Sequence, residues 1–495
     1  MFLAGLDIGS TGCKITVYDE LGNFQHKSYC DYPVSRNIGE HEVSAEHIFE
    51  GVKKVISEAT KVCKDIKAIG ITSFGESCVL LDEDDKPIRD VMLYTDPRGE
   101  DECKELIEKL GKEKIEDITG VSPHCMYSLP KIMWIKKHHP EKYKNTKHIL
   151  MMEDYITYML TGNAMIDFSL ATRSMAFDIR KLCWSSEIFN AAGIDSALFS
   201  NPVRSGTSAG KVKSIIANEL GISNDTIILP VGHDQVAAAI GAGVFDEVTA
   251  VDGAGTVECI TPVFNSIPEG RAIHDSSYAI VPYVIPNKYV TYAFSFTGGA
   301  LVSWYINNLA KFEIDKAKAD GKSVFEVLED FMKDEPTGIL VLPHFAGAAT
   351  PYMDSGSKGA IVGLTIEHNV SDLYRAMMEG VVYEMMLNME CLEKANISPK
   401  QLRATGGGAS SKVWMQMKAD ILNMPITALD SNEAGATGCA MMAGIAVGIF
   451  KNLDEAANIM INKKETYYPR EEQTKKYKKH YENYRKLYQA VRPLV

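Results

Sequence analysis

Three short runs of this chain set glycines and hydroxyls directly after an apolar stretch, the combination that lets a backbone approach phosphate. The first is Asp7-Ile-Gly9-Ser10-Thr11-Gly12. Without a Cβ in the way, its N–H groups and hydroxyls can reach the oxygens of a triphosphate. Asp7 ends the apolar run and is placed to bind Mg2+ directly or through water, since magnesium takes few carboxylates and keeps several waters. Lys14 is a candidate point charge for the β- and γ-phosphates. The bland alternative is a β-hairpin with a glycine turn, and the run is no Walker A loop because GxxxxGK[ST] is absent. The second run, Asp252-Gly-Ala-Gly255-Thr256, offers another phosphate loop. The third, Thr405-Gly406-Gly407-Gly408-Ala409-Ser410-Ser411, leads from a strand over Gln401–Ala404 into a helix over Lys412–Asn423. There a flat base or a phosphate can lie against bare backbone near a helix N-terminus.

A base is needed at the acceptor, and Gly232-His233-Asp234-Gln235 supplies a candidate. The acid follows a strand over Ile227–Val231 and opens a helix. Its carboxylate can take the proton of a sugar hydroxyl as phosphate arrives, while Gln235 bonds another hydroxyl. The competing reading makes Asp234 a helix N-cap worth about 1 kcal/mol. His233 by itself reads as structural. Glu76, the segment Tyr94–Arg98 and Met126-Tyr127-Ser128 offer further polar groups to a polyol, with Glu76 and Tyr127 the candidate contacts. Singly these are weak, because an acid or arginine is usually a solvated surface group.

The elements that must hold these residues follow from pattern. Strands are expected at Phe2–Asp7, Cys13–Asp19, Phe24 to about Tyr32 and Ile66–Thr72. Ser44 is the expected N-cap of a helix carrying Ile48, Phe49, Val52, Val55, Ile56, Ala59 and Val62 at helical spacing. Helical patterns broken by prolines run from about 101 to 225 and read as an insertion that shapes a substrate site. After Phe245 the opening returns as strands over Val248–Asp252 and Val257–Val263 around the second glycine turn. A second echo pairs Gly70–Ser77 with Ala404–Ser411. The matching order favours a duplicated α/β domain with a cleft between the copies.

Composition agrees. The chain has 495 residues, too many for one core, with 45% hydrophobic and 24% charged residues, as in ordinary globular proteins. A net charge of −13 argues against nucleic acid or an anionic membrane as the main partner. The ten cysteines form no CxxC pair and read as reduced, mostly buried thiols of a cytoplasmic protein. The small-residue stretch Cys439–Phe450 is too short to span a bilayer and reads as a buried helix.

With these residues in view, the chain resembles the FGGY carbohydrate kinases of the actin-like ATPase superfamily. Two long signatures carry the likeness: Met126-Tyr-Ser-Leu-Pro-Lys131-Ile-Met-Trp134-Ile-Lys-Lys-His138, and Gly359-Ala-Ile-Val-Gly363-Leu continuing through Asp372 to Glu379. The resemblance runs from Leu6 to about Gly448 and implies two RNase H-like α/β domains. The expected first domain spans 1–245 and binds sugar; the second spans 246–495 and binds ATP. It further implies that Asp7 to Thr11 and Gly255-Thr256 are phosphate motifs, that Asp234 is the catalytic base, and that Gln235 is a substrate amide. Gly299 matches a nucleotide-contacting glycine, and Gly407 and Ser411 the adenosine motif. Expected cofactors are ATP and Mg2+; the expected partner is a small sugar, and a homodimer is compatible with the family.

The stretches Asp154–Gly162, up to Phe177-Asp178, and Leu342-Pro343 to Thr350-Pro351 are most similar to xylulokinases. Those enzymes generally carry Gly-Gln-Met-His where this chain has Ser73-Phe74-Gly75-Glu76. Glu76 instead matches a substrate-contacting acid of glycerol kinases, and Thr72–Gly75 is similar to fuculokinases. The expected acceptor is therefore a ketose such as xylulose, with a polyol or a hexulose as the alternative. A remote alternative is an actin-like ATPase acting on a protein.

Overall fold

A computed structural model describes all 495 residues as two twisted α/β sheets with the same strand plan. In the first, Phe2–Ile8 pairs antiparallel with Gly12–Asp19, which pairs antiparallel with Phe24–Asp31. On its other side Phe2–Ile8 runs parallel to Ile66–Ser73, and that strand parallel to Ile227–His233. In the second sheet Thr249–Ala254 pairs antiparallel with Glu258–Phe264 and parallel with Gln401–Thr405, which runs parallel to Ile426–Leu429. Both sequence echoes thus fall on equivalent strands. The expected strands are all present, most extended by a residue or two at one end.

Alternation explains the layers, because successive side chains of a strand face opposite sides. Along Phe2–Ile8, the residues Ala4, Leu6 and Ile8 enter a core shared with helix Ala45–Val62, while Leu3 enters the core on the opposite face. Ser44 caps that helix by accepting from His47 N–H at 3.3 Å. The opposite face of the first sheet is covered by helix Ala434–Ala446, which belongs by sequence to the second half of the chain. Small residues make this crossing possible. A Cβ on Gly5 or Gly70, which are register partners, would overlap the Ala436 or Cys439 carbonyl. A Cβ on Gly438 would overlap the Ala237 carbonyl of helix Asp234–Gly241. The buried helix expected around Cys439 is therefore real, ends at Ala446, and ties the two halves together.

The region from about 101 to 225 is mostly helical as expected, including Glu100–Leu110, Ser128–His138 and Met152–Thr161. The C-terminal helix Glu471–Tyr484 packs on the second half: the Tyr484 hydroxyl donates to Glu384 at 2.5 Å and Arg375 donates to the Tyr477 hydroxyl at 2.5 Å. All ten cysteines are free, and seven are buried. No helix is long and apolar enough to cross a membrane.

Candidate functional site

The first glycine turn is a hairpin between Phe2–Ile8 and Gly12–Asp19. Ile8 faces Cys13 across the ladder, and Gly9 N–H donates to the Gly12 carbonyl at 2.9 Å. Ser10 and Thr11 stand at the tip, the first half-buried and the second exposed. Asp7 and Lys14 are register partners whose side chains meet at 3.1 Å. Lys14 also reaches Glu433 at 3.0 Å, and Lys27 reaches the same carboxylate at 2.5 Å. Burial raises the Asp7 carboxyl above its ordinary range although Lys14 opposes it, and the charge of Asp234 adds to the rise. Burial works against the Lys14 charge, but Asp7 and Glu433 outweigh it and raise its pKa. Lys14 is thus already held between two acids. A Cβ at Gly435 would lie 3.3 Å from Asp7 Oδ2, the oxygen that Lys14 holds, so glycine there lets the pair form without crowding.

The second and third turns lie on neighbouring parallel strands and pack on each other. Gly406 has φ +89°, and a Cβ there would sit 2.7 Å from the Ala254 carbonyl. Gly407 has nothing within 4 Å of its Cβ direction, whereas Gly408 packs on Ala254 and Trp414. Helix Gly299–Leu309 begins against the second turn: Gly299 N–H donates to the Gly255 carbonyl at 2.9 Å and Ala300 N–H to the Thr256 carbonyl at 3.0 Å. Gly299 therefore meets Gly255, and Gly298 meets Thr256 and Val257, backbone to backbone. The third turn does not run straight into its helix. A short 3-10 turn, Gly407–Ser410, intervenes, and Ser411 is the N-cap, accepting from Trp414 N–H at 3.2 Å. Below the second turn, buried Lys418 bonds Asp252 at 2.7 Å and also Glu258. Asp252 occupies the place of Asp7 in the second sheet but is turned inward and neutralised.

Asp234 is the first residue of helix Asp234–Gly241, whose N-cap is His233, and it makes no capping bond. The N-cap reading is thereby set aside. Its Oδ1 is sealed from solvent and has no hydrogen-bond partner, although His233 Nε2 lies 3.3 Å away. Burial raises the carboxyl to about 6, with the Gln235 N–H groups, Arg173 and Lys14 pulling the other way. Burial and Arg173 push His233 down to about 3, so its ring is neutral; it lies against Tyr292 with centroids 5.2 Å apart.

Glu76 is buried rather than solvated, at φ +65°, and its carboxylate takes two donors from Arg173, the Nε bond at 2.5 Å. The Arg173 guanidinium lies between Tyr127 and Tyr292, 5.1 and 5.4 Å from their ring centres. The structure thus gathers Glu76, Tyr127 and Asp234, with Gln235 beside it, around Arg173 at the end of the first sheet, and Tyr292 reaches in from the second half of the chain. Gly9, Ser10, Thr11, Lys14 and Asp7 line the neighbouring turn. Gly255, Thr256, Gly299, Gly407, Gly408 and Ser411 cluster on the second sheet. Sequence reasoning missed Arg173, Tyr292 and Glu433. Arg173 had a signal: it is the lone charge in the stretch Phe168–Phe177. Glu433 and Tyr292 had none, because their partners lie far off along the chain.

For magnesium the residues present fit only in part. No three His, Cys, Asp or Glu side chains gather to hold a metal. Asp7 is a lone carboxylate at a phosphate turn, which suits an ion held chiefly by nucleotide oxygens and water.

Comparison with known proteins agrees with this geometry. Residues 2–241 match the N-terminal domain and residues 273–447 the C-terminal domain of the FGGY family of carbohydrate kinases. A xylulose kinase of Lactococcus lactis is 27% identical over 98% of this chain and 96% of its own length. A gluconokinase of Bacillus licheniformis is 27% identical over 97% of this chain and 94% of its own length. The crystal structure of ligand-bound xylulose kinase from Lactobacillus acidophilus superposes with a TM-score of 0.89 at 23% identity, covering 99% of this chain and 98% of that one. Twin sheets of one plan, glycine turns at equivalent strand ends and an acid at a strand–helix junction thus have a common explanation: the chain belongs to the FGGY family of carbohydrate kinases, with the actin-like ATPase fold, and is a sugar kinase.

Proposed function

We propose that this kinase transfers the γ-phosphoryl group of ATP to a hydroxyl of a neutral ketose, with pentuloses ahead of hexuloses, and that Asp234 is the base. The observation that carries the reading is the Asp234 carboxyl. It stands at a strand end and is raised to about 6, and although Oδ1 is sealed the side chain as a whole is 38% exposed toward the site. A base poised just below neutral pH is the one that a hydroxyl acceptor needs. Gln235, Glu76 and Tyr127 would hold the other hydroxyls. ATP would lie mainly on the second sheet, its phosphates between the turns at Gly9–Gly12 and Gly253–Thr256 and its base near Gly407. Asp7 would share in holding Mg2+, which would neutralise charge on the transferring group.

Neutrality of the acceptor follows from charge. Arg173 is the buried cation of the sugar side, and Glu76 already neutralises it. His233 is uncharged, and Asp234 is an acid. A buried aldonate carboxylate would find Arg173 already paired and would be desolvated without a partner, since the other cation on this side, Arg36 near Tyr94, is exposed. A polyol remains the second reading, because Glu76 stands where a xylulokinase histidine is expected. The test is ADP release with ATP and a panel of pentuloses, hexuloses, glycerol and gluconate. A ketose should stimulate turnover most. Best activity on gluconate or glycerol would overturn the ranking, and ADP release indifferent to every sugar would return the protein-directed ATPase.

A further inference from the structure

The chain directly before Asp234 is irregular, and side chains replace the ladder there. Register with Ile66–Ser73 slips between Pro230 and Gly232, leaving Val231 as a bulge. Gly232 follows at φ +140°, where a Cβ would stand 2.6 Å from Ser169 Oγ. Three backbone groups freed by this bend each meet one buried side chain. Gly232 N–H donates to Glu153 Oε1 at 2.5 Å, the Gly232 carbonyl accepts from the Thr72 hydroxyl at 2.7 Å, and His233 N–H donates to Ser169 Oγ at 3.0 Å. Ser169 is fixed in turn by donating to Asp167 Oδ1 at 2.9 Å, and Asp167 accepts from Ser169 N–H, Leu170 N–H and the Ser205 hydroxyl. Glu153, Asp167, Ser169 and Thr72 are all fully buried.

We infer that Glu153, with Ser169 behind His233, is a positioning residue that holds the bulge and so aims the Asp234 carboxylate at the acceptor hydroxyl. No cation pairs with Glu153, and its Oε2 meets only Asp167 N–H at 3.4 Å. Burial, with the charges of Asp167 and Asp154 adding to it, raises its carboxyl well above the ordinary range. What the site uses is therefore an acceptor oxygen at a fixed place, which an amide supplies as well. This inference rests on Asp234 being the base.

The experiment compares Glu153→Gln, Glu153→Leu, Ser169→Ala and Asp234→Asn for kcat, sugar KM, ATP affinity and melting temperature, using the best sugar of the panel. Glu153→Gln should stay within about threefold of wild type. Glu153→Leu should lose about 10²-fold in kcat, the scale of a displacement of roughly 1 Å in a reacting group, with ATP affinity unchanged. Ser169→Ala should lose about tenfold, equivalent to about 1.4 kcal/mol and within the range of one hydrogen bond, and serves if the leucine variant does not fold. The inference is overturned if a folded Glu153→Leu or Ser169→Ala keeps wild-type kcat. It is equally overturned if Glu153→Gln falls as far as the leucine variant, or if ATP affinity falls in step with kcat. An active Asp234→Asn would instead sink the assignment of the base, whichever way Glu153 behaves.

Discussion

At the scale of single residues, the site sets two acids to opposite tasks by environment. Asp234 is raised to about 6 by burial and lacks a fixed partner for Oδ1; Glu76 is clamped by Arg173. A base works deprotonated, so the rate should be full above pH 6 and fall tenfold per pH unit below it. Asp234→Asn should lose 10²–10⁴-fold in kcat and flatten that acid limb, with ATP affinity intact. Its stability should not fall near neutral pH. A raised carboxyl pKa makes the charged form the less stable one in the fold, so removing that charge relieves the native state wherever the pH exceeds about 6. A folded variant with more than about a tenth of wild-type kcat would rule out the base. Glu76→Gln should raise sugar KM roughly 10- to 150-fold through loss of a charge-assisted bond, with nucleotide affinity unchanged. Unchanged sugar kinetics would leave Glu76 as the counterion of Arg173 alone. Asp234, Gln235 and Tyr127 could be read from the sequence because each sits beside a strand or helix signal. The burial of Glu76 could not, since its partner Arg173 lies on a distant segment of chain.

At the scale of elements, the glycine turns were legible and their foundations were not. A strand, an acid and a glycine run announce a turn by local chemistry alone. Nothing local announces that Asp252 turns inward to Lys418, or that Ser411 spends its hydroxyl on a helix cap. Lys418 joins helix Lys412–Leu422 to the two strands that flank the second turn, and it is the counterion for both Asp252 and Glu258. Lys418→Met should therefore destabilise the protein by about 3–5 kcal/mol, the cost of leaving a buried charge unpaired. Denaturant unfolding measures this. Because the second turn rests on this group, ATP affinity should weaken as well, while sugar affinity holds. A loss below about 1 kcal/mol would mean that the acids are protonated without the lysine.

For the whole molecule, the proposed reading puts the sugar on one sheet and the nucleotide on the other, and phosphoryl transfer then requires that the two be brought in line and dried. The connection able to transmit such closure is helix Ala434–Ala446, which leaves the second half, covers the first sheet and crosses helix Asp234–Gly241 at Gly438. The same crossing carries Asp234 at one end and, through Glu433 and Gly435, the surroundings of Asp7 at the other. This duplicated plan was visible in the sequence as paired strand–glycine echoes; the crossing was not, because a run of alanines and glycines reads as buried without saying against what. Its tight contact makes a direct test. Gly438→Ala adds one methyl where the Ala237 carbonyl already sits, so the helices must move apart. Overpacking costs about 1–3 kcal/mol, offset by up to about 1 kcal/mol of better helix propensity. The net loss of stability should be small, and the larger effect should fall on closure. Wild type should contract in solution scattering when sugar and a non-hydrolysable ATP analogue are both present, and ATP hydrolysis without sugar should be slow because the open cleft leaves the γ-phosphate unaligned. Gly438→Ala should bind each ligand alone with near-normal affinity, contract less with both, and release ADP with less phosphosugar formed per ATP. A variant that contracts and couples as wild type does would show that the two sheets close about some other contact.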